Sequence, residues 1–157
     1  GVHLRNAFYR FSMERCSVDC HIGFGTIFSN PDTSVASGVY IGHYCCIGEV
    51  TIGKDVLIAS HVSIMNGSRQ HGTADLETPI RDQAGVYVPI TIGEDTWLGE
   101  RAIVAASVGK HCIIGAGSLV LHPIPDRRSE MNARDRTDDV FDRVDTTLAG
   151  LQQIVNE

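Results

Sequence analysis

An aliphatic residue followed by glycine, repeated at intervals close to six, limits what this chain can fold into more than any other feature. The pairs are Ile22-Gly23, Ile41-Gly42, Ile47-Gly48, Ile52-Gly53, Ile92-Gly93, Leu98-Gly99 and Ile114-Gly115. Filling in the six-residue register gives Ile52, Ile58, Ile64, then Ile92, Leu98, Val104, then Val108, Ile114, Val120. The register slips by one between Ile47 and Ile52 and by two between Val104 and Val108. Four places after each register residue stands a compact one: Cys45, Thr51, Val56, Val62, Thr96, Ala102, Cys112 and Ser118. Two inward positions per hexad, one large and one small, match neither the helical period nor simple strand alternation. A short strand ending at a tight corner matches both. Glycine suits that corner by tolerating positive φ and the close approach of a neighbouring chain. Three such units close one triangular coil, and stacked coils bury a continuous aliphatic column. The expected fold class is therefore all-β, a parallel β-helix over residues 1–125, in which Cys45 and Cys112 serve as small core residues.

The register disappears between Ile64 and Ile90. The segment 65–89 is polar and rich in turn formers, and the repeat resumes at Pro89-Ile90-Thr91-Ile92-Gly93. A long irregular insertion in a regular solenoid marks a projecting functional loop. Beyond Pro125 the pattern stops again. Residues 126–139 read as a charged linker, and Val140, Val144, Leu148, Leu151 and Val155 form the apolar stripe of a C-terminal α-helix. That helix packs on its own coil or between subunits. Leu4 to Met13 reads as a short helix capping the first coil.

The chain has 157 residues, enough for one domain with a real core. A formal net charge of -6 argues against a nucleic-acid partner, which calls for a basic face. No apolar run is long enough to span a bilayer, and the first residues lack the layout of a signal peptide. Five cysteines without a C-x-x-C pair make neither a disulfide framework nor a zinc signature. Reduced thiols in the cytoplasm are the expectation.

At this point the chain resembles the hexapeptide-repeat acyltransferases, which include galactoside, maltose and polysaccharide O-acetyltransferases. The resemblance runs from about Tyr40 to Pro125. The Ile-Gly hexads carry it, with the loop containing Gln70-His71-Gly72, the re-entry Pro89 to Gly99 with Trp97, and the closing Ile114-Gly115-Ala116-Gly117-Ser118. It implies a left-handed coil, a homotrimer with active sites between subunits, and acetyl-CoA as donor. The implied donor contacts are Trp97, Ala105, Ala106, Gly117 and Ser118. The family commonly ends with a Gly-Asn-Pro-Ala segment that this chain lacks, having Leu121-His122-Pro123-Ile124-Pro125 and then Arg127 and Arg128 as substitute phosphate partners.

Acyl transfer to a hydroxyl needs a base, stabilisation of the oxyanion, and aligned reactants. Histidine fits the base because a free imidazole titrates near neutrality. His71 stands where the resemblance places the catalytic histidine. Asn66, Arg69 and Gln70 are candidate acceptor contacts, and Asp75, Glu77 or Asp82 is a candidate for orienting His71. The remaining histidines read as structural or solvated. No metal is expected, since no two histidines have the five-residue spacing of a γ-class carbonic anhydrase. The function expected is acetyl transfer from acetyl-CoA to a hydroxyl of a sugar or related small acceptor. N-acetylation of an amino sugar and a catalytically degenerate trimeric scaffold stay open as alternatives.

Overall fold

The structure, a computed structural model, describes residues 1–127 and the backbone of Ser129–Glu130. The rest of the expected linker, the C-terminal helix and Arg128 lie outside the described residues. A helix, α1 (Val2–Ser12), precedes the first coil of β1 (Arg15–Cys16), β2 (His21–Ile22) and β3 (Ile27–Phe28). The second coil holds β4 (Ser34–Val35), β5 (Tyr40–Ile41) and β6 (Cys46–Ile47), and the third β7 (Val50–Ile52), β8 (Leu57–Ile58) and β9 (Ser63–Ile64). After the inserted loop come β10 (Ile90–Ile92), β11 (Trp97–Leu98) and β12 (Ile103–Val104), then β13 (Ile113–Ile114), β14 (Leu119–Val120) and β15 (Ser129–Glu130). All pairing is parallel and forms three sheets, one per face of a left-handed prism. The first face is β1-β4-β7-β10, the second β2-β5-β8-β11-β13-β15, the third β3-β6-β9-β12-β14. Single bridges from Ile92 to Val108 and on to Ile124 continue the first face as far as Ile124.

The register residues stack as expected. Ile22, Ile41, Ile58, Leu98 and Ile114 occupy successive rungs of the second face, all fully buried. Each contributes roughly 1.5–3 kcal/mol relative to exposure. The loop leaves after β9 and returns at β10, which pairs β7 directly, so the coil closes as though the insertion were absent.

Two expectations need correction. Thr51 is exposed, and Val50 points inward instead. The shortened corner Gly48-Glu49 makes β7 a three-residue strand whose ends face the core and whose middle faces out, and Ile90-Thr91-Ile92 repeats the pattern. The glycine after each aliphatic residue is also explained by only one of its two stated reasons. Positive φ falls elsewhere at the corners, on Tyr44, Asp55, His61, Asp95, Arg101 and His111 among others. The Ile-Gly glycines serve close approach: a Cβ on Gly42 would lie 2.6 Å from Ser60 N, and one on Gly93 2.4 Å from Gly109 C.

At the small inward positions, side chains bond between coils. Thr26 Oγ1 donates to Gly42 O at 2.7 Å and accepts from Cys45 N, while Cys45 Sγ donates to Ala59 O. Thr96 and Cys112 repeat the arrangement toward Gly109 O and Pro125 O. Burial pushes the Cys45 thiol up from its ordinary value. A polar atom is tolerated here because the next coil offers it a carbonyl.

Alternate backbone N–H groups along each strand point toward the following coil, as in His21 N to Val39 O and Gly23 N to Ile41 O. In the first coil the carbonyls of Cys20, Ile22 and Thr26 face away from the second coil, and α1 supplies donors to them. Arg5 Nε reaches Ile22 O, Asn6 Nδ2 reaches Cys20 O and Tyr9 OH reaches Thr26 O. The helix thereby covers an edge that would otherwise invite pairing with another chain.

Candidate active site

The loop that carries His71 is pinned at its base by one side chain. Asn66 is 7% exposed; its Oδ1 accepts Glu49 N at 2.8 Å, and its Nδ2 donates to Glu49 O at 2.8 Å and Val88 O at 3.1 Å. The amide thus pairs with both backbone groups of Glu49, as a further strand would. Val88 N bonds Asn66 O and Val86 N bonds Arg69 O, which ties the outgoing and returning arms together. The arms lie close enough that a Cβ on Gly85 would sit 1.8 Å from Gln70 O. At the tip, the Asp75 carboxylate accepts from Glu77 N and Thr78 Oγ1, and Gln83 Nε2 bonds the carbonyls of Asp75 and Thr78. The Thr78 hydroxyl, then the Glu77 amide, hold Asp75 below its ordinary value.

These contacts change the roles expected of several residues. Both amide hydrogens of Asn66 and one acceptor position of its oxygen are taken up by backbone, which gives it a bracing role. Asp75 is likewise committed to the tip, and Asp82 pairs with Arg81 across 3.6 Å. His71 is exposed and no described residue hydrogen-bonds its imidazole, so none of the three candidate acids is in contact with it.

Between the loop base and the corner after β12 lies a pocket of about 190 Å³. Arg69, Val88, Ala105, Ala106, Ser107 and Pro123 are among its walls. Ser107 Oγ accepts Thr91 N, fixing that corner. Arg69 is thus brought together with Ala105 and Ala106, and their small side chains keep the pocket open. Gln70 is half-buried between the two arms. The other expected donor contacts are elsewhere. Trp97 projects from the second face, 49% exposed, in register with Leu57 and Ile113. Gly117 and buried Ser118 form the corner between the second and third faces, where a Cβ on Gly117 would meet nothing. The whole third face separates them from Ala105. One chain alone does not gather the set around His71.

Sequence reasoning missed the bracing role of Asn66. The visible signal was its place, two residues after Ile64, the last register residue before the gap, where a coil would otherwise need another rung. It also missed the contact of Cys16 Sγ with Cys20 Sγ at 3.4 Å, since an i,i+4 pair carries no motif.

Comparison with known proteins agrees with the coil. No protein-family model matches the chain. It is 34% identical over 80 residues to a probable acetyltransferase, Rv3034c, of Mycobacterium tuberculosis, covering 50% of this chain and 26% of that protein. Over 116 residues it is 32% identical to the putative lipopolysaccharide biosynthesis O-acetyl transferase WbbJ of Escherichia coli, covering 66% of this chain and 55% of the relative. These similarities support the resemblance to the hexapeptide-repeat acyltransferases. A further relative, the galactoside O-acetyltransferase of Escherichia coli, is 36% identical over 80 residues, 48% of this chain and 36% of that protein. The chain spans between about a quarter and about half of the length of these relatives. Among solved structures, a maltose O-acetyltransferase from Clostridium difficile 630 superposes with a TM-score of 0.71 at 19% identity, covering 82% of this chain and 70% of its own. The hexapeptide-repeat acetyltransferase VCA0836 from Vibrio cholerae gives 0.61 at 18% identity, covering 83% and 77%. These likenesses establish the fold.

Proposed function

We propose that the protein transfers an acetyl group from acetyl-CoA to a hydroxyl of a sugar or related small acceptor, with His71 as general base. The observation that carries this reading is the loop itself. Among the described residues, no other long excursion leaves the coil; this one bears His71, is braced by Asn66, and roofs a pocket lined by Arg69, Ala105 and Ala106. Relatives named as acetyltransferases support it. His71 takes the acceptor proton as the acceptor oxygen attacks the thioester carbonyl, and returns it to the departing thiolate. Arg69, at the pocket wall, is placed to orient the acceptor, and Gln70 beside His71 serves the same end. The small residues Ala105, Ala106 and Gly117 let the pantetheine arm run close to backbone amides, with Trp97 and Ser118 completing the donor site. No group of residues suited to a metal ion is found among those described, and the proposed chemistry uses none.

The scatter of these residues around one prism supports assembly as a homotrimer with each site shared between copies. Exposed apolar residues concentrate on two faces: Tyr40, Leu57, Trp97 and Ile113 on the second, Ile27, Ile103 and Leu119 on the third. The first face presents Ser34, Thr51 and Thr91 instead. Apolar patches of this kind mark contact surfaces. We place the protein in the cytoplasm; no described helix is long and apolar enough to cross a membrane.

Calorimetric titration with acetyl-CoA tests the reading without choosing an acceptor. Saturable binding near one equivalent per chain is expected, followed by turnover on hydroxyl acceptors. Turnover on amino sugars alone would move the activity to N-transfer, and no binding at millimolar donor would leave a scaffold.

A further inference from the structure

A second reactive site lies at the opposite end of the chain, under α1. Cys16 Sγ and Cys20 Sγ stand 3.4 Å apart, and either can donate to the other. A disulfide bond is about 2.05 Å long, so the sulfurs need to close by roughly 1.4 Å. Both side chains are already turned toward each other across the segment Ser17-Val18-Asp19. That segment is held as a turn, with Ser17 Oγ bonded to Asp19 Oδ1 and Cys20 Sγ near Ser17 O at 3.1 Å. The two thiols also differ in access, Cys16 being half-buried and Cys20 only 4% exposed.

From this geometry we propose that Cys16 and Cys20 form a dithiol site that small disulfides such as oxidised glutathione convert to an intrachain disulfide. The exchange balances in two steps. Cys16 attacks one sulfur of the small disulfide, releasing one thiol and leaving a mixed disulfide on Cys16. Cys20 then attacks the Cys16 sulfur, forming the Cys16–Cys20 bond and releasing the second thiol. The accessible sulfur meets the oxidant, and the buried one resolves the adduct. Contact with Cys16 lowers the Cys20 thiol below its ordinary value, while that same contact and burial push the Cys16 thiol well above its own; Cys16 therefore attacks once its proton has passed across the contact to the Cys20 sulfur. The other three cysteines lack this arrangement: Cys45 and Cys112 are buried and bonded to carbonyls, and Cys46 is exposed without a sulfur partner.

Closure bears directly on how α1 is held. Asn6 Nδ2 donates to the carbonyl of Cys20 itself at 2.6 Å, while Asn6 Oδ1 is buried with no hydrogen-bond partner. That unmatched oxygen weakens the seat of the helix. A covalent link across residues 16–20 stiffens the segment on which it rests and restricts the unfolded chain. The inference is independent of acyl transfer.

The test exposes the full chain to a series of oxidised-to-reduced glutathione ratios, quenches with acid, unfolds, alkylates and maps every cysteine by mass. The expected product has lost two hydrogens, with Cys16 and Cys20 protected together and Cys45 and Cys112 still alkylated. Cys20→Ser should trap glutathione on Cys16, and the oxidised parent should unfold at a higher temperature than the reduced one. A parent that keeps glutathione on Cys16 beside a free Cys20 overturns the proposal. So does a pair that stays reduced at ratios where Cys46 is already modified.

Discussion

In the coil, Ile22, Ile41, Ile58, Leu98 and Ile114 lie one above another, fully buried, and backbone bonds join every coil to the next. In the inserted loop, no residue from Gly67 to Pro89 is buried, and the arms meet through few bonds beyond those of Asn66. The coil distributes its stability over many equivalent rungs. The loop concentrates its placement in one amide at the base and one carboxylate at the tip. A site built this way has a rigid wall and a separately held arm, and damage to one need not harm the other.

The sharpest division of the two regions comes from His71→Ala. General-base catalysis typically contributes ~10²–10⁴-fold, so kcat should fall by at least about 100-fold. Thermal unfolding should be nearly unchanged, because the side chain is exposed and makes no hydrogen bond or ion pair with the described residues; steady-state kinetics beside a melting curve check both. Ile58→Ala reverses the pattern. Removing a fully buried aliphatic chain should cost about 2–5 kcal/mol, read by denaturant unfolding.

Asn66→Ala lies between them. It strips partners from Glu49 N, Glu49 O and Val88 O and should cost about 1–3 kcal/mol. Limited proteolysis should then cut within 67–88 while the coil stays resistant, and kcat should fall with the loop displaced. Uncut loop and unchanged kcat would show that the arms hold themselves.

The smallest effect belongs to the tip. Asp75 titrates below its ordinary value of 3.8 in the folded loop, so its ionised form stabilises the tip. That contribution is full above pH 3.8 and is lost as the pH falls through the lowered folded value. Hydrogen exchange of the Glu77 and Thr78 amides should therefore speed up only in strong acid, and Thr78→Ala should shift the onset toward higher pH.

Much of the fold was legible because the hexads state their own geometry: an aliphatic residue marks each inward strand, and glycine each place where coils touch. Thr51 misled because a corner one residue short moves the inward position to Val50 without disturbing the count. The loop's extent was readable from the gap in the register. The partners of Asp75 and Asn66 were not, since a polar residue in an irregular segment gives no sign of which backbone group it will meet.

By itself, then, the sequence determined the coil and its interruption, because a short repeat dictates which residues face inward through local backbone geometry alone. Only the tertiary structure decided that Asn66 braces the loop, that α1 covers the free carbonyls of the first coil, and that Cys16 meets Cys20. It also decided that Trp97 and Ala105 stand on different sides of one prism. Those outcomes depend on which atoms the folded chain brings within about 3 Å of each other, and spacing along the chain does not encode that distance.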